Sequence, residues 1–256
     1  MIDTNVYLSR WPFRRLPGDD TAGLVSKLKA VGVTQAWAGS FDALLHRDTG
    51  GVNLRLKQEC SRLGAGLLEP VGTVNPAQPD WEEDLRRCQE RYSMKAIRLH
   101  PNYHGYGLDG AAVKQLLFEA ARRKLLVQVA VQMEDERTQH PLLRVAPVSL
   151  KPLAAALRAA KGVRVQILNH MRLAPEELKE LAAAGDVCFD FAMVEGVHGL
   201  ARLMKTIPVE RIAFGSYYPF FLIESALGKV KEASATEQQM RSIFTATAQR
   251  LSGDGK

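Results

Sequence analysis

Short apolar segments alternate along the chain with longer amphipathic segments, in which apolar residues recur at helical spacing. The short segments predict eight β-strands, at residues 3–7, 33–39, 67–76, 94–101, 125–132, 163–170, 186–192 and 211–216. The longer segments predict helices at residues 20–31, 52–64, 81–92, 111–124, 150–160, 175–184 and 199–205, and helical sequence closes the chain. Such regular alternation is typical of a parallel sheet, and eight units are typical of a closed (β/α)8 barrel. No linker-like stretch interrupts the pattern, so we predict an α/β fold with a single TIM-barrel domain over residues 1–256.

Alternation within each strand predicts which side chains face the barrel lumen, because every second residue of a strand lies on the same face. In the fourth strand, Ile97 and Leu99 suit the helix layer, so Arg98 and His100 face the lumen. The same reasoning assigns to the lumen the residues Gln128, Ala130, Gln132, Gln166, Leu168, His170, Cys188, Asp190, Ala213, Gly215 and Tyr217. Polar residues at the C-terminal ends of several strands are what a barrel active site requires.

The first strand, IDTNVYL, has an unusual polar face. Its alternation predicts Ile2, Thr4 and Val6 on one side and Asp3, Asn5 and Tyr7 on the other. Such a polar face belongs either to an exposed edge or to the lining of a cavity. In a closed barrel the second interpretation is favoured, so we predict that Asn5 and Tyr7 line the lumen.

The composition sets limits on the class of protein. The chain has 256 residues, of which 46% are hydrophobic and 24% charged, so it can bury a sizeable core. No apolar run approaches the roughly 18 residues of a membrane span, and no apolar segment follows the N-terminus, so we predict neither a membrane segment nor a signal peptide. Cys60, Cys88 and Cys188 form no CxxC pair, which favours reduced thiols in a cytoplasmic protein.

The net charge of +6 raises the question of an anionic partner. Lys and Arg are dispersed along the predicted helices, and no run of five or six like charges occurs. The pattern argues against nucleic-acid binding and indicates a modest attraction for small anions.

Four segments resemble one family. IDTNVYL is similar to the first-strand pattern IDxHxHL of the amidohydrolase superfamily, and KAIRLHPNYHGY resembles the fourth-strand region of its amidohydrolase-2 branch. ILNHM resembles the sixth-strand ILxHxG, and RIAFGSYYPF resembles the eighth-strand RxxFGSDYPF. This branch includes aminocarboxymuconate-semialdehyde decarboxylases and 2-pyrone-4,6-dicarboxylate lactonases. The resemblance implies a TIM barrel and a hydrolase or lyase acting on a small carboxylated compound.

The same resemblance predicts that the metal centre of the family is lost. Family sites use a first-strand HxH pair and a last-strand Asp, and the matching positions here are Asn5, Tyr7 and Tyr217. Amide and neutral phenol groups are poor replacements for imidazole and carboxylate ligands of zinc. We therefore predict no family-type metal site and no cofactor, while a residual metal bound through His100 or His170 is left open.

Three residues are candidates for proton transfer: His100, His170 and Asp190. A histidine titrates near neutrality and can act as a general acid or base, although each could instead only cap a loop through a backbone hydrogen bond. Asp190 could replace the missing base or could neutralise Arg98. Arg98 could bind a substrate carboxylate with its planar fork, or could pair with Asp190 or Glu69.

Two loops supply further candidates for ligand binding. The segment after the first strand contains Trp11, which could wall an apolar pocket together with Phe13, and Arg14, a second candidate anion contact. The loop MEDERTQHP follows the fifth strand and is either a solvated loop or a lid that brings Arg137 and His140 to the mouth. The full set of predicted substrate-binding residues is Asn5, Tyr7, Trp11, Arg14, Arg98, Gln132, Arg137, His140 and Tyr217.

Two functions follow from these observations. The favoured one is a metal-independent or weakly metal-dependent hydrolase or lyase for a small carboxylate. The alternative is a catalytically inactive barrel that binds a small ligand or a protein. Substrate identity, pathway and the formation of homo-oligomers are left open by the sequence.

Overall fold

The computed structural model describes residues 1–253. Within this range the strands are β1 (Ile2–Leu8), β2 (Gln35–Ser40), β3 (Leu68–Pro70), β4 (Gly72–Thr73), β5 (Ala96–Leu99), β6 (Leu126–Ala130), β7 (Arg164–Leu168) and β8 (Asp186–Phe189). The helices between and after them are α1 (Thr21–Ala30), α2 (Thr49–Leu63), α3 (Trp81–Arg86), α4 (Pro101–His104), α5 (Ala111–Arg122), α6 (Leu153–Ala159), α7 (Pro175–Ala184), α8 (Gly199–Thr206), α9 (Ile223–Glu232), α10 (Glu237–Arg241) and α11 (Thr247–Ser252). Short 3-10 turns lie at Phe41–Leu44 and Val209–Arg211, and π-type turns follow α3 and α10 at Arg87–Arg91 and Ser242–Ala246.

The strands are parallel and close into a barrel. Hydrogen bonds join β1, β2 and β3 in one run and β4 to β8 in another, and only Val71 separates β3 from β4. The backbone N–H of Val71 donates to the carbonyl of Ala38 at 2.8 Å, so β3 and β4 fill one barrel position. The segment 212–218 fills the last position, because Ala213 N donates to Phe189 O at 2.9 Å and Thr4 N donates to Phe214 O at 2.9 Å. The predicted (β/α)8 barrel is thereby confirmed.

An irregularity in β1 changes which of its side chains face the lumen. The register with β2 shifts between Asp3 and Val6, which is the signature of a β-bulge. Thr4 accepts a hydrogen bond from the lumen residue Gln166 at 2.6 Å, while Asp3 accepts hydrogen bonds from the main chain and hydroxyl of Ser216. The prediction that Thr4 shares a face with Val6, opposite the lumen residues Asn5 and Tyr7, is therefore wrong.

Four buried polar side chains, which we call the polar layer, cross the middle of the lumen: Thr4, Arg98, Gln128 and Gln166. Arg98 Nε donates to Gln128 Oε1 at 2.8 Å, and Gln128 Nε2 donates to Gln166 Oε1 at 2.8 Å and to the carbonyl of Thr4 at 2.9 Å. The Thr4 hydroxyl donates to Phe214 O at 2.9 Å. None of the four is exposed to solvent, and every polar atom of their side chains has a hydrogen-bond partner within the protein.

Apolar side chains fill the space between the strands and the helices. Ile97, Leu99, Val127 and Val129 belong to this core, as the alternation predicts. A second cluster, which includes Trp37 and Leu126, lies at the N-terminal end of the barrel and packs on Leu251 of α11. The C-terminal ends of the strands, which we call the mouth, thus remain for a functional site. Within residues 1–253, no helix combines the length and the apolar character needed to cross a membrane.

Candidate functional site

The predicted site residues at the strand ends meet at the mouth. Asn5 Nδ2 donates to Asp190 Oδ2 at 2.7 Å, and the Tyr7 hydroxyl lies 3.1 Å from His100 Nε2. The ring of Tyr217 packs edge-on against that of Tyr7, with centroids 5.5 Å apart. These residues therefore lie at one end of the barrel, as expected from their positions after the strands.

Aromatic rings close the mouth. Tyr7 stacks on Phe41 at 4.7 Å, Trp11 packs edge-on against Phe41 at 5.3 Å and against Phe220 at 5.0 Å, and Tyr217 stacks on Phe220 at 4.9 Å. Tyr217 has a φ of 59°, which is uncommon for a bulky residue, and its hydroxyl donates to the carbonyl of Met133 at 2.6 Å. We call these five residues (Tyr7, Trp11, Phe41, Tyr217 and Phe220) the aromatic plug.

Arg98 lies beneath this plug rather than at its surface. Its guanidinium carbon is 4.4 Å from the centroid of the Tyr7 ring, and Nη1 donates to the carbonyl of Val6 at 3.2 Å. No carboxylate among residues 1–253 forms an ion pair with it, so the predicted pairs with Asp190 and Glu69 are not formed. The donors of Arg98 are engaged in these contacts and in the polar layer. This argues against the predicted role of Arg98 in binding a substrate carboxylate.

His100 is a neutral imidazole in this position. Burial lowers the pKa of His100 well below its ordinary value, and the neighbouring His104 and Arg98 lower it further. The ring of His104 packs edge-on at 5.8 Å, and His104 Nε2 donates to the carbonyl of Ala43 at 2.8 Å. The Nδ1 atoms of both histidines are buried and have no partner within the protein.

Asp190 belongs to a cluster of three side chains, Asn5, Asn169 and Asp190, which we call the amide cluster. Asn5 Nδ2 donates to Asn169 Oδ1 at 2.8 Å as well as to Asp190, and the main-chain N–H of Asn169 donates to Asp190 Oδ1 at 2.9 Å. Burial raises the pKa of Asp190 to about 7, although the hydrogen bonds from Asn169 and Asn5 oppose the increase. The carboxyl therefore exchanges a proton near neutral pH.

His170 does not face the lumen, and that part of the prediction is wrong. Asn169 has a φ of 58°, a conformation that Asn tolerates better than most residues, and this turns the chain after β7. His170 Nε2 donates to the carbonyl of Asp190 at 3.0 Å, and its ring packs edge-on against Phe189, a residue of the outer core, at 5.6 Å. Burial lowers the pKa of His170 to about 4, so the imidazole is neutral at physiological pH.

An open cleft of about 450 Å³ lies beside the plug, between the loops that follow β6 and β7, and we call it the rim cleft. Gln132 and His170 are among the residues that line it, together with three cations (Arg137, Lys151 and Arg172) and three carboxylates (Asp135, Glu136 and Glu177). Two of the predicted site residues, Gln132 and Arg137, thus meet His170 here. Arg137 is held by Asp135 through two hydrogen bonds of 2.9 and 2.7 Å.

Two loops meet over the plug, and their contacts favour the lid over the solvated loop, the two alternatives that the sequence leaves open. Arg14 forms an ion pair with Glu134, and the ring of Phe13 stacks on His140 at 5.6 Å. Arg14 also lies over Phe220, with its guanidinium carbon 5.1 Å from the ring centroid. The loop after β1 and the loop after β6 are thereby joined to each other above the barrel.

The mouth contains nearly all of the unsatisfied polar atoms of the molecule. Among residues 1–253, eight buried side-chain polar atoms have no hydrogen-bond partner in the protein. Seven of them lie at the C-terminal side of the barrel: Asn5 Oδ1, Trp11 Nε1, His100 Nδ1, His104 Nδ1, Tyr106 OH, Asn169 Nδ2 and His170 Nδ1. Because buried polar groups are almost always paired, this concentration of donors and acceptors is typical of a site that receives a polar molecule.

Sequence reasoning missed three of the residues in this arrangement. Glu134 is one of several charged residues in the loop MEDERTQHP, and Asn169 occupies a variable position of the ILxHxG pattern. His104 follows His100 by one helical turn, and this spacing is the signal that could have joined the two.

The fold and the mouth define the class of the protein, a (β/α)8 barrel with polar residues at its strand ends. Comparison with known proteins agrees with this class. The model of the amidohydrolase family, Amidohydro_2, matches residues 12–253, so the chain belongs to this family. A search of curated protein sequences found no match.

Solved structures share the fold at low sequence identity. The 2,6-dihydroxybenzoate decarboxylase from Rhizobium is 13% identical, with a TM-score of 0.69 over 99% of this chain and 100% of that chain. An uncharacterised TIM-barrel protein from Bordetella bronchiseptica is 11% identical, with a TM-score of 0.75 over 99% and 100%. A putative 2-pyrone-4,6-dicarboxylic acid hydrolase from Pseudomonas putida is 19% identical, with a TM-score of 0.65 over 98% and 97%.

The residues at the mouth do not fit the metal centre that the family resemblance implies. Asn5 uses its amide nitrogen to bind Asn169 and Asp190, while Tyr7 and Tyr217 are buried phenols whose pKa values are raised by burial. Across residues 1–253, no group of three or more His, Cys, Asp or Glu side chains is arranged to hold a metal ion. The donor set is thus wrong for zinc, which prefers imidazole, thiolate and carboxylate.

Proposed function

We propose that the protein is a hydrolase or lyase that acts on a small carboxylated compound and works without the family-type metal centre. The observation that carries this proposal is the amide cluster. In this cluster the carboxyl of Asp190, whose pKa is about 7, lies beside the side-chain amides of Asn5 and Asn169. Each amide has one polar atom that no protein group binds and that is therefore available to a ligand. A group that titrates near the working pH is the best general acid or base.

The preference for a carboxylate is supported by two cations that line the rim cleft, Lys151 and Arg172, which form no ion pair among residues 1–253. Arg137 is held by Asp135, and the carboxylates of Asp135, Glu136 and Glu177 also line the cleft, so the support comes from these two cations and not from a net charge. Gln132 has only a weak contact to the sulfur of Met193 at 3.7 Å. Two of the proteins that share the fold, the 2,6-dihydroxybenzoate decarboxylase and the putative 2-pyrone-4,6-dicarboxylic acid hydrolase, are named for carboxylated compounds. Guanidinium groups bind such anions through paired hydrogen bonds.

Proton transfer is assigned to Asp190, with His170 beside it. In a hydrolysis, the ionised carboxylate accepts a proton from the attacking water; in a decarboxylation, the protonated carboxyl delivers a proton to the carbon that loses CO2. His170 donates from Nε2 to the carbonyl of Asp190 and keeps Nδ1 as an acceptor for a substrate hydroxyl or water. His100 has no proton-transfer role in this proposal, because Tyr7 engages its Nε2 and its pKa is low.

A cytoplasmic location belongs to the same proposal. Cys60, Cys88 and Cys188 are all buried and form no disulfide. Free buried thiols are typical of a reducing compartment.

The second candidate function is a catalytically inactive barrel that binds a small ligand or a protein. It is favoured by the aromatic plug, since Tyr7 and Tyr217 fill the mouth and are fully buried. In that case the plug would be a fixed part of the core.

Binding and turnover of a panel of small aromatic and pyrone carboxylates separate these functions. We expect at least one compound to bind the wild type by calorimetry and to be converted. Asp190→Asn should reduce turnover about 100-fold or more while it changes binding far less, since general acid–base groups contribute roughly 10² to 10⁴. The matched control is Asp109→Asn, an exposed carboxyl in the loop before α5.

Binding without turnover by the wild type would favour the inactive barrel. If no carboxylate binds, the proposed substrate class is wrong. Turnover that is unchanged in Asp190→Asn would remove Asp190 from the chemistry.

A further inference from the structure

The mouth already contains a carboxylate that belongs to the protein itself. Glu134 lies next to Met133, whose carbonyl accepts the hydrogen bond of Tyr217, and the Glu134 side chain is only 2% exposed. Its charge adds to the effect of burial in raising the pKa values of Tyr103 and Tyr217, so the carboxylate lies close to both phenols. Glu134 is therefore surrounded by groups that would suit the carboxylate of a ligand.

The partner of Glu134 is accessible from outside. Arg14 forms the ion pair with Glu134 while its own side chain is 45% exposed, and it rests on Phe220 at the edge of the aromatic plug. Nearly half of the Arg14 side chain is thus open to an incoming anion.

We propose that Glu134 occupies the place of the ligand carboxylate, and that a bound ligand displaces Glu134 from Arg14. This inference rests on the proposed function, in which the ligand is a small carboxylate. Because one carboxylate replaces another, Arg14 keeps an anionic partner and the same hydrogen-bond geometry throughout the exchange. Glu134 moves toward water when released, so that no uncompensated charge stays buried.

The exchange also explains how a closed mouth can admit a ligand. The loop that carries Glu134 is fixed to the plug through Met133 and to the loop after β1 through the stacking of His140 on Phe13. Release of Glu134 removes the ion pair between these loops. Ligand binding thereby removes one of the three contacts that hold this loop over the plug.

Glu134→Gln tests the exchange directly, because it keeps the shape of the side chain and removes the competing charge. The probes are benzoate and 2,6-dihydroxybenzoate, titrated into each variant by calorimetry. We expect Glu134→Gln to bind at least one of them about tenfold more tightly than the wild type, which corresponds to the loss of one competing charged contact. Arg14→Gln should bind it about tenfold more weakly.

Glu232→Gln is the matched control, since it makes the same charge change at an exposed position of α9 that does not line the rim cleft. Its affinity should stay within about twofold of the wild type, as exposed charges are screened. An equal gain in Glu232→Gln would assign the effect to net charge and overturn the exchange. Should Glu134→Gln fail to fold by circular dichroism, Glu134→Asp, which shortens the side chain and weakens the ion pair, should give a smaller gain.

The results separate this inference from the proposed function. If the wild type binds a carboxylate and Glu134→Gln binds it equally or less tightly, the exchange is wrong and the substrate class stands. If neither protein binds a carboxylate, both are wrong.

Discussion

The polar layer and the amide cluster are both buried groups of amide-bearing and charged side chains in one lumen, but their hydrogen bonds differ. In the polar layer, Gln128 donates to Gln166 and to Thr4 while it accepts from Arg98. In the amide cluster, Asn5 Oδ1 and Asn169 Nδ2 have no partner within the protein. A satisfied buried network stabilises and specifies a fold, whereas an unsatisfied one is retained at a cost in stability. The difference supports our proposal that the mouth receives a ligand, while the middle of the lumen is structural.

The largest expected effect is that of Gln128→Leu on stability. This change leaves the Nε of Arg98, the Oε1 of Gln166 and the carbonyl of Thr4 without their partner in a fully buried setting. We expect the free energy of unfolding to fall by about 3–5 kcal/mol, measured in urea. Gln132→Leu, on the same segment but at the mouth, is the control and should cost less than about 1 kcal/mol. Equal losses would remove the distinction between the two regions.

The next effect is a pH dependence that belongs to Asp190. Its pKa is about 7 in the folded protein, against 3.8 as the ordinary value, so the folded state keeps its proton over a range in which the unfolded state has lost it. The contribution of Asp190 to the free energy of unfolding therefore decreases as the pH rises from about 4 to 7, by about 1.4 kcal/mol per pH unit. The difference in unfolding free energy between wild type and Asp190→Asn should show this slope, because His170 and Asp3 titrate in both proteins and cancel. If the unfolding free energies of the two proteins depend on pH in the same way, the pKa of Asp190 is not raised.

A smaller effect on stability is expected for Asn169→Ala. The change removes one hydrogen bond from Asn5, but the Nδ2 of Asn169 has no partner to lose. The free energy of unfolding should fall by about 1–2 kcal/mol, because Ala loses this hydrogen bond and adopts the left-handed conformation less readily than Asn, while the affinity for a carboxylate falls about tenfold. A large loss of stability with unchanged affinity would make the amide cluster structural, like the polar layer.

The smallest effect is expected for removal of metal ions. Since Asn5, Tyr7 and Tyr217 stand where the motif resemblance would place metal ligands, our proposal predicts that a chelator leaves the melting temperature of the purified protein unchanged. A decrease of several degrees, restored by a divalent metal and absent in His100→Ala, would show that a residual site exists.

Much of the fold could be predicted from the sequence, because it depends on local periodicity. The strand ends that carry His100, Asp190 and Tyr217 follow apolar segments whose alternation fixes the direction of each side chain. The bulge in β1 could not be predicted in this way, since it depends on the register between Asp3 and the neighbouring strand. It reverses the orientation of Thr4 and thereby completes the polar layer.

The site was harder to predict because it depends on contacts between distant segments. His170 was assigned to the lumen by simple alternation, but the left-handed conformation of Asn169 turns it toward the rim cleft. The sequence predicts that Arg98 binds a ligand carboxylate or an acidic side chain, but its Nε donates instead to Gln128, 30 positions away. The pairing of Arg14 with Glu134 spans 120 positions, and neither residue alone signals the other.

A crystal structure of the protein with its tightest-binding small carboxylate tests the central claim most directly. The account predicts the ligand at the mouth, with its polar atoms within hydrogen-bond distance of Asn5 Oδ1, Asn169 Nδ2 or His170 Nδ1 and with its carboxylate on Arg14 in place of Glu134. A ligand bound elsewhere, with those three atoms contacting only ordered water, would contradict the account.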